Sequence, residues 1–333
     1  MKASLDHSIT RPLDHLFFFI LLLSFAAKAS AAGFDNSAVG TSSGQFLKLG
    51  AGSRGMAMGE ACSAAADDAG AVYWNPAALL QIESSSVVLM HAVYLDTIFY
   101  DFAAFGRKLK NNTAWGAGLQ YLSVGSIAET DGLGLETGKF NPHDYALTFS
   151  GARRFTRRDD FKFLAGYDLG VSLKYIHSTI VRSADTIAVD LGVVLPERLG
   201  GRLRLAAVMQ NFGGKLRYDL ESRPLPLTFK AGAAYRLTPQ WLLALDAAWP
   251  RDNGPAAGAG MERWWPASAE WSLAARAGFN SRTAGDLEGL SGLSFGFGLR
   301  RQRGEKRSLT LDYALVSFGP LGLTHRISLS GKF

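Results

Sequence analysis

The closing stretch Leu323-Thr324-His325-Arg326-Ile327-Ser328-Leu329-Ser330-Gly331-Lys332-Phe333 alternates apolar and polar residues and stops on an aromatic carboxyl terminus. Leu323, Ile327, Leu329 and Phe333 share one face, and Thr324, Arg326, Ser328, Ser330 and Lys332 share the other. Side chains of a strand alternate between its two faces, so this is a strand greasy on one side and wetted on the other.

The same parity runs backward through 308–316, 293–300, 270–280, 241–249, 227–237, 203–210, 187–195 and 171–179. Bulky apolar residues fall mainly on odd numbers, as in Ile187, Val189, Leu191 and Val193 or Trp271, Leu273 and Phe279. Charges such as Lys174, Asp190, Lys230, Asp246, Arg276, Asp312 and Arg326 fall on even numbers. A water-soluble β-sandwich also alternates, but lipid enforces the rule more strictly, since Arg or Lys facing a bilayer midplane costs about 2–4 kcal/mol. Aromatics cap the apolar faces: Trp241 and Trp249 bracket Leu243, Leu245 and Ala247. Eight strand steps of about 3.3 Å, tilted about 40°, give a band on the order of 20 Å tall.

Counting back from Phe333 gives fourteen strands near 323–333, 308–316, 291–301, 270–280, 255–264, 241–249, 227–237, 202–211, 184–195, 164–179, 144–155, 113–124, 97–107 and 84–93. The window 255–264 is weakly patterned; its inclusion is what puts short connections such as 110–112 and 238–240 on the Phe333 side and the long ones, 125–143 and 212–226, on the other. An even strand number with that asymmetry predicts an all-β fold, a 14-stranded antiparallel transmembrane β-barrel of the bacterial outer membrane. Phe333 is then the terminus that the barrel-assembly machinery would read, and outer-membrane lipid is the surrounding partner.

Composition agrees. Lys2 and Arg11 precede the apolar run 16–27, and Ala29-Ser30-Ala31 is a small-residue cleavage site, so residues 1–31 read as a secretory signal peptide. Hydrophobic residues make up 47% of the chain, yet they are spread thin among 37 glycines, with no later run long enough for a membrane helix. The single Cys62 excludes an internal disulfide framework. The formal charge of +6 is scattered along strands and turns, which argues against nucleic acid as a partner.

Residues 34–83 have little strand character and are expected to form a compact plug, with 84–333 forming the barrel. The run 50–59 is small and flexible, and Arg54 and Gly55 lie within it. Asn75-Pro76 starts a short helix: the Asn side chain can accept from an orphan amide, and proline at the first helical position loses nothing. Asp67 and Asp68 are expected to hold the plug by pairing with lumen arginines such as Arg204, Arg276 or Arg300. Cys62 is expected to pack as a small residue among alanines.

The run 53–79, SRGMAMGEACSAAADDAGAVYWNPAAL, resembles the amino-terminal signature of the PorV/PorQ group within the wider FadL-like outer-membrane barrels. The ending, with LDYA at 311–314 and THRISL at 324–329, is similar to that group's ending. The resemblance implies a fourteen-stranded barrel with an amino-terminal plug or hatch. It also implies either receipt of exported cargo proteins, as in type IX secretion, or FadL-like passage of hydrophobic small molecules through a gap in the wall.

No chemistry-bearing motif competes. His91, His143, His177 and His325 are dispersed, so no metal site is expected, and His177 and His325 are expected on the outward faces. No GxSxG elbow or glycine-rich phosphate loop is present, so neither an enzyme nor a cofactor is expected. A hydrophobic carrier should show an apolar pocket beside the plug that meets a break in the wall. A cargo receiver should present an apolar patch on its outer loops, for which Tyr218, Leu220 and Leu225 are the candidates.

Overall fold

The computed structural model describes residues 34–94, 97–284, 291–304 and 307–333; the signal-peptide segment 1–31 lies outside them. Fourteen strands close into one antiparallel barrel: β1 (Ser85–Val93), β2 (Phe99–Lys108), β3 (Thr113–Ser123), β6 (His143–Arg154), β7 (Asp168–Thr179), β8 (Ser183–Val194), β9 (Leu203–Gly213), β12 (Thr228–Arg236), β13 (Trp241–Pro250), β14 (Ala256–Pro266), β15 (Trp271–Asn280), β16 (Leu293–Arg303), β17 (Arg307–Ser317) and β18 (Leu323–Lys332). Two hairpins, β4 (Ile127–Thr130) with β5 (Glu136–Phe140) and β10 (Lys215–Arg217) with β11 (Ser222–Pro224), project from connections at one rim. The weakly patterned window 255–264 is a full strand, β14.

Closure is made by β1 against β18, with Ser86 opposite Lys332, and by reciprocal backbone hydrogen bonds of 2.9 and 3.0 Å between Ser85 and Phe333. A closed wall leaves no strand edge to satisfy in lipid. The rim carrying Ser85 and Phe333 is the near rim, and the rim carrying the hairpins is the far rim. Connections at the near rim are mostly tight turns, but 155–167 is longer than the expected asymmetry allows, and the far-rim turn 180–182 is short.

Each ladder pairs even-numbered with even-numbered residues, as in Lys174 with Ala188 and Arg276 with Glu262. This register is why a single parity survives around the wall. The exception is a shift between Val189 and Leu191 at the β8–β9 ladder, beside Asn211, whose φ is +61°. The even face turns inward and buries Lys174, Asp190, Glu262, Arg276, Asp312 and Arg326. The odd face leaves Leu147, Phe149, Leu173, Ile187, Leu245, Leu273, Phe297 and Ile327 exposed. His177 and His325 stand on this outward face. Trp241, Trp265 and Trp271 lie toward the near rim, and Tyr145, Trp249 and Phe279 toward the far rim.

The core lies inside the barrel. Short helical turns at Gln45–Lys48, Ser53–Ala57, Ala71–Trp74 and Pro76–Gln81 pack Met56, Val72, Trp74, Leu79 and Leu80 against inward Val88, Tyr100, Phe102 and Ala314. Burying Leu79, Leu80 and Ile82 alone contributes about 1.5–3 kcal/mol each.

Candidate functional site

The lumen is occupied chiefly by residues 46–82, and the contact between this plug and the wall is tight enough to involve backbone. Asn75, fully buried, caps the turn Pro76–Gln81: its Oδ1 accepts from Ala77 N at 3.0 Å, and its Nδ2 donates to the Ser63 carbonyl at 2.8 Å. This seats Asn75-Pro76 directly on two wall glycines. A Cβ at Gly192 would stand 2.1 Å from Asn75 Oδ1, and one at Gly170 would stand 2.2 Å from Ala77 N. Gly59, at φ +64°, sits against β14 and β15, where a Cβ at Gly278 would lie 2.1 Å from its nitrogen. Gly55 packs beneath the Trp74 ring, and buried, unpaired Cys62 lies among alanines.

Charge fixes the plug's position. Arg54 donates from Nε and NH2 to the two oxygens of Glu262 at 2.8 and 2.9 Å, and from NH1 to Asp67 at 2.7 Å. Glu262 also accepts from Arg276 Nε at 2.7 Å, and Arg276 NH1 reaches Asp312 at 2.8 Å. The chain Asp67–Arg54–Glu262–Arg276–Asp312 therefore runs from plug into wall. Each buried charge has an opposite partner, the condition under which such groups can be desolvated. Burial opposes ionisation of Asp67, but Arg54 and then Lys332 outweigh it and hold its carboxyl well below the usual range. Burial dominates at Asp68 and pushes its carboxyl up, although Oδ1 accepts from Gly70 N at 2.8 Å.

This corrects the expected pairing. The direct partner of Asp67 is Arg54 of the plug itself, with Lys332 at 3.7 Å, and not Arg204, Arg276 or Arg300. Arg276 is taken by Glu262 and Asp312, and Arg300 lies on the Trp264 ring, 3.8 Å from its centroid. Parity already points Arg276 and Asp312 inward; nothing in the sequence couples them to Arg54.

The proposed outer-loop patch is not one surface. Leu220 is 82% exposed, but Tyr218 is half-buried with its hydroxyl 2.6 Å from Ser178 Oγ. Leu225 is 2% exposed and packs with Phe46, Leu47 and Leu216, so it covers the far end of the plug instead of facing solvent. Other apolar side chains take the exposed role: Leu133 at 87%, Leu135 at 64% and Val181 at 76%. The β4–β5 turn presents the leucines because Asp131 Oδ1 accepts from Leu133 N at 2.9 Å and Leu135 N at 3.0 Å, with Gly134 at φ +82°. The leucines in D-G-L-G-L at 131–135 were the available sequence clue.

Space beside the plug toward the far rim amounts to about 50 Å³ and is lined in part by Glu60, Lys230, Asp246 and Arg282. Among the described residues no group of three or more His, Cys, Asp or Glu is placed to hold a metal ion.

A stoppered fourteen-stranded barrel with lipid-facing odd residues is an outer-membrane protein of the FadL-like fold. The Pseudomonas putida toluene transporter TodX superimposes with a TM-score of 0.57 at 13% identity, over 85% of this chain and 96% of that one. The Ralstonia pickettii toluene transporter TbuX gives 0.54 at 14% identity, over 85% and 97%. A Pseudomonas aeruginosa FadL homologue gives 0.51 at 11% identity, over 84% and 97%. No curated protein sequence matches this chain. Residues 31–243 match the family described as type IX secretion system protein PorV, and the chain belongs to that family. It is an integral protein of the outer membrane.

Proposed function

We propose that this barrel does non-catalytic work at the outer membrane, docking or shuttling exported proteins in a type IX secretion-like process. The observation that carries the reading is the fit of plug to wall, where plug backbone meets Gly170 and the Asn75 side chain meets Gly192, so that the lumen is occupied. A barrel stoppered in this way works through its surfaces, and family membership supports exported protein as what it meets there. The exposed apolar side chains Leu133, Leu135, Val181 and Leu220 form the candidate receiving surface at the far rim, the extracellular side in this reading. Lipid holds the barrel, and the assembly machinery would read Phe333.

The test replaces Leu133, Leu135 and Leu220 with serine in a host that carries the secretion machinery. Loss of cargo release from a barrel that still shows heat-modifiable gel migration is the expected result. Unchanged release from the triple variant overturns the receiving-surface assignment.

FadL-like passage of hydrophobic small molecules has one observation in its favour, the β8–β9 register shift at Val189/Leu191. That irregularity is braced on the inside by Lys174 Nζ, 2.7 Å from Asp190 and 2.8 Å from Asn211 Oδ1. Co-purified fatty acid or aromatic hydrocarbon would favour passage, and a co-purified secreted protein would favour docking.

A further inference from the structure

The near rim holds a polar cavity of about 340 Å³, roofed by the plug and bounded by the β12–β13 turn at Pro239 and Gln240. Its walls carry five cations against three carboxylates. The carboxylates are unequally available. Asp67 and Glu262 are both engaged by Arg54, and Glu83 is exposed at the mouth. Three arginines remain with spare donors. Arg300 is held over the Trp264 ring with Nε 3.3 Å from Thr310 Oγ1, and no carboxylate of the described residues lies within 4 Å of it. Arg236 at the end of β12 has no side-chain partner among the described residues. Arg204 makes long contacts of 3.3 Å to Glu197 and 3.4 Å to the Ala64 carbonyl, and its buried Nε has none. Lys332 lies on the same cavity.

We propose that this vestibule binds a small molecule bearing an oxyanion, phosphate or carboxylate, that enters from the periplasm. Guanidinium forks match the planar oxygen pairs of both groups, and Arg300 is already fixed in orientation by its ring contact, so little freedom is lost on binding. The volume falls in the range of small-molecule sites. The enclosing wall and the plug raise the field of the excess positive charge inside the mouth. The site is separate from the far-rim surface, and the inference stands whether or not that surface receives cargo.

The test is isothermal titration of the full-length protein in non-ionic detergent at low salt, with pyrophosphate in one arm and triglutamate in the other. Saturable binding of at least one probe is expected. Arg300→Gln with Arg236→Gln should weaken it about tenfold or more, the scale of one charge-assisted hydrogen bond. Arg236→Gln alone, at the exposed edge, should weaken binding without touching the Trp264 contact, which covers the chance that Arg300→Gln disturbs folding. Arg157→Gln with Arg158→Gln, on the near-rim connection between β6 and β7 and outside the cavity lining, should leave affinity unchanged. Tighter pyrophosphate binding assigns a phosphate ligand, and tighter triglutamate binding assigns a carboxylate. Absence of saturable binding by either probe, or equal weakening in the Arg157/Arg158 variant, overturns the proposal.

Discussion

Arg54 of the plug grips Glu262 of the wall with both prongs of its guanidinium, at 2.8 and 2.9 Å, across 208 positions of sequence. Glu262 is simultaneously held by Arg276, so one buried carboxylate joins the plug to β15 as well as to its own strand β14. Removing one member of such a set leaves the others buried without compensation, typically at a cost of about 3–5 kcal/mol. Glu262→Gln should therefore lower the temperature at which the heat-modifiable band converts, and Arg54→Met should do the same. The two changes together should lower it by less than the sum of the singles. Additive effects in that cycle would show that the pair carries no coupling.

Neighbouring Asp67 and Asp68 should respond to pH with opposite sign. The folded Asp67 carboxyl is held below its unfolded value, so its stabilisation is present above about pH 4 and fades as pH falls through the folded value. The folded Asp68 carboxyl is raised by burial, so its ionisation costs stability as pH climbs from its ordinary value through the raised one. Asp67→Asn should destabilise at pH 7 and matter less near pH 3. Asp68→Asn, which keeps an acceptor for Gly70 N, should stabilise at pH 7 and be near neutral at pH 3. Conversion temperatures measured at both pH values check the pair, and a matching sign at pH 7 would refute it.

Period-two patterning made most of the strands legible because lipid outside and charge inside act on every strand alike, whereas weakly patterned β14 was legible only from the sorting of loop lengths between the two rims. The same logic says that Arg276 and Asp312 point inward but cannot say what they meet, since Arg54 arrives from a segment without periodicity. Leu225 shows a second boundary. An apolar residue in a polar loop reads as an outward patch, whereas the loop folds back and Leu225 closes over Phe46 and Leu47. Leu133 and Leu135 lie in the long connection 125–143, where no periodicity assigns a face, and their exposure follows from Asp131 fixing their amides.

That cap makes Asp131 a presentation residue. Asp131→Ala removes both side-chain hydrogen bonds and frees the turn without altering either leucine. Cargo release should fall, by less than in the leucine variants, while conversion temperature stays within the range of exposed surface changes. A release defect equal to that of Leu133→Ser with Leu135→Ser would mean that turn geometry carries all the recognition. No defect would mean that the leucines need no fixed turn.

Gly192 offers the most direct access to the stopper. Its missing Cβ is what lets Asn75 lie on the wall, and Gly170 does the same for the backbone of Pro76 and Ala77. A methyl group at either site stands about 1 Å inside van der Waals contact with plug atoms, so the plug must shift, because the ladder of β7 and β8 cannot yield locally without breaking its pairing. Gly192→Ala and Gly170→Ala should each assemble as heat-modifiable barrels but conduct in planar bilayers, with unsteady currents and faster proteolysis within 34–83. Gly151→Ala, with nothing near its added carbon, is the matched control and should remain as closed as the parent. Silent bilayers for Gly192→Ala and Gly170→Ala together would mean that the plug can move aside without opening the bore.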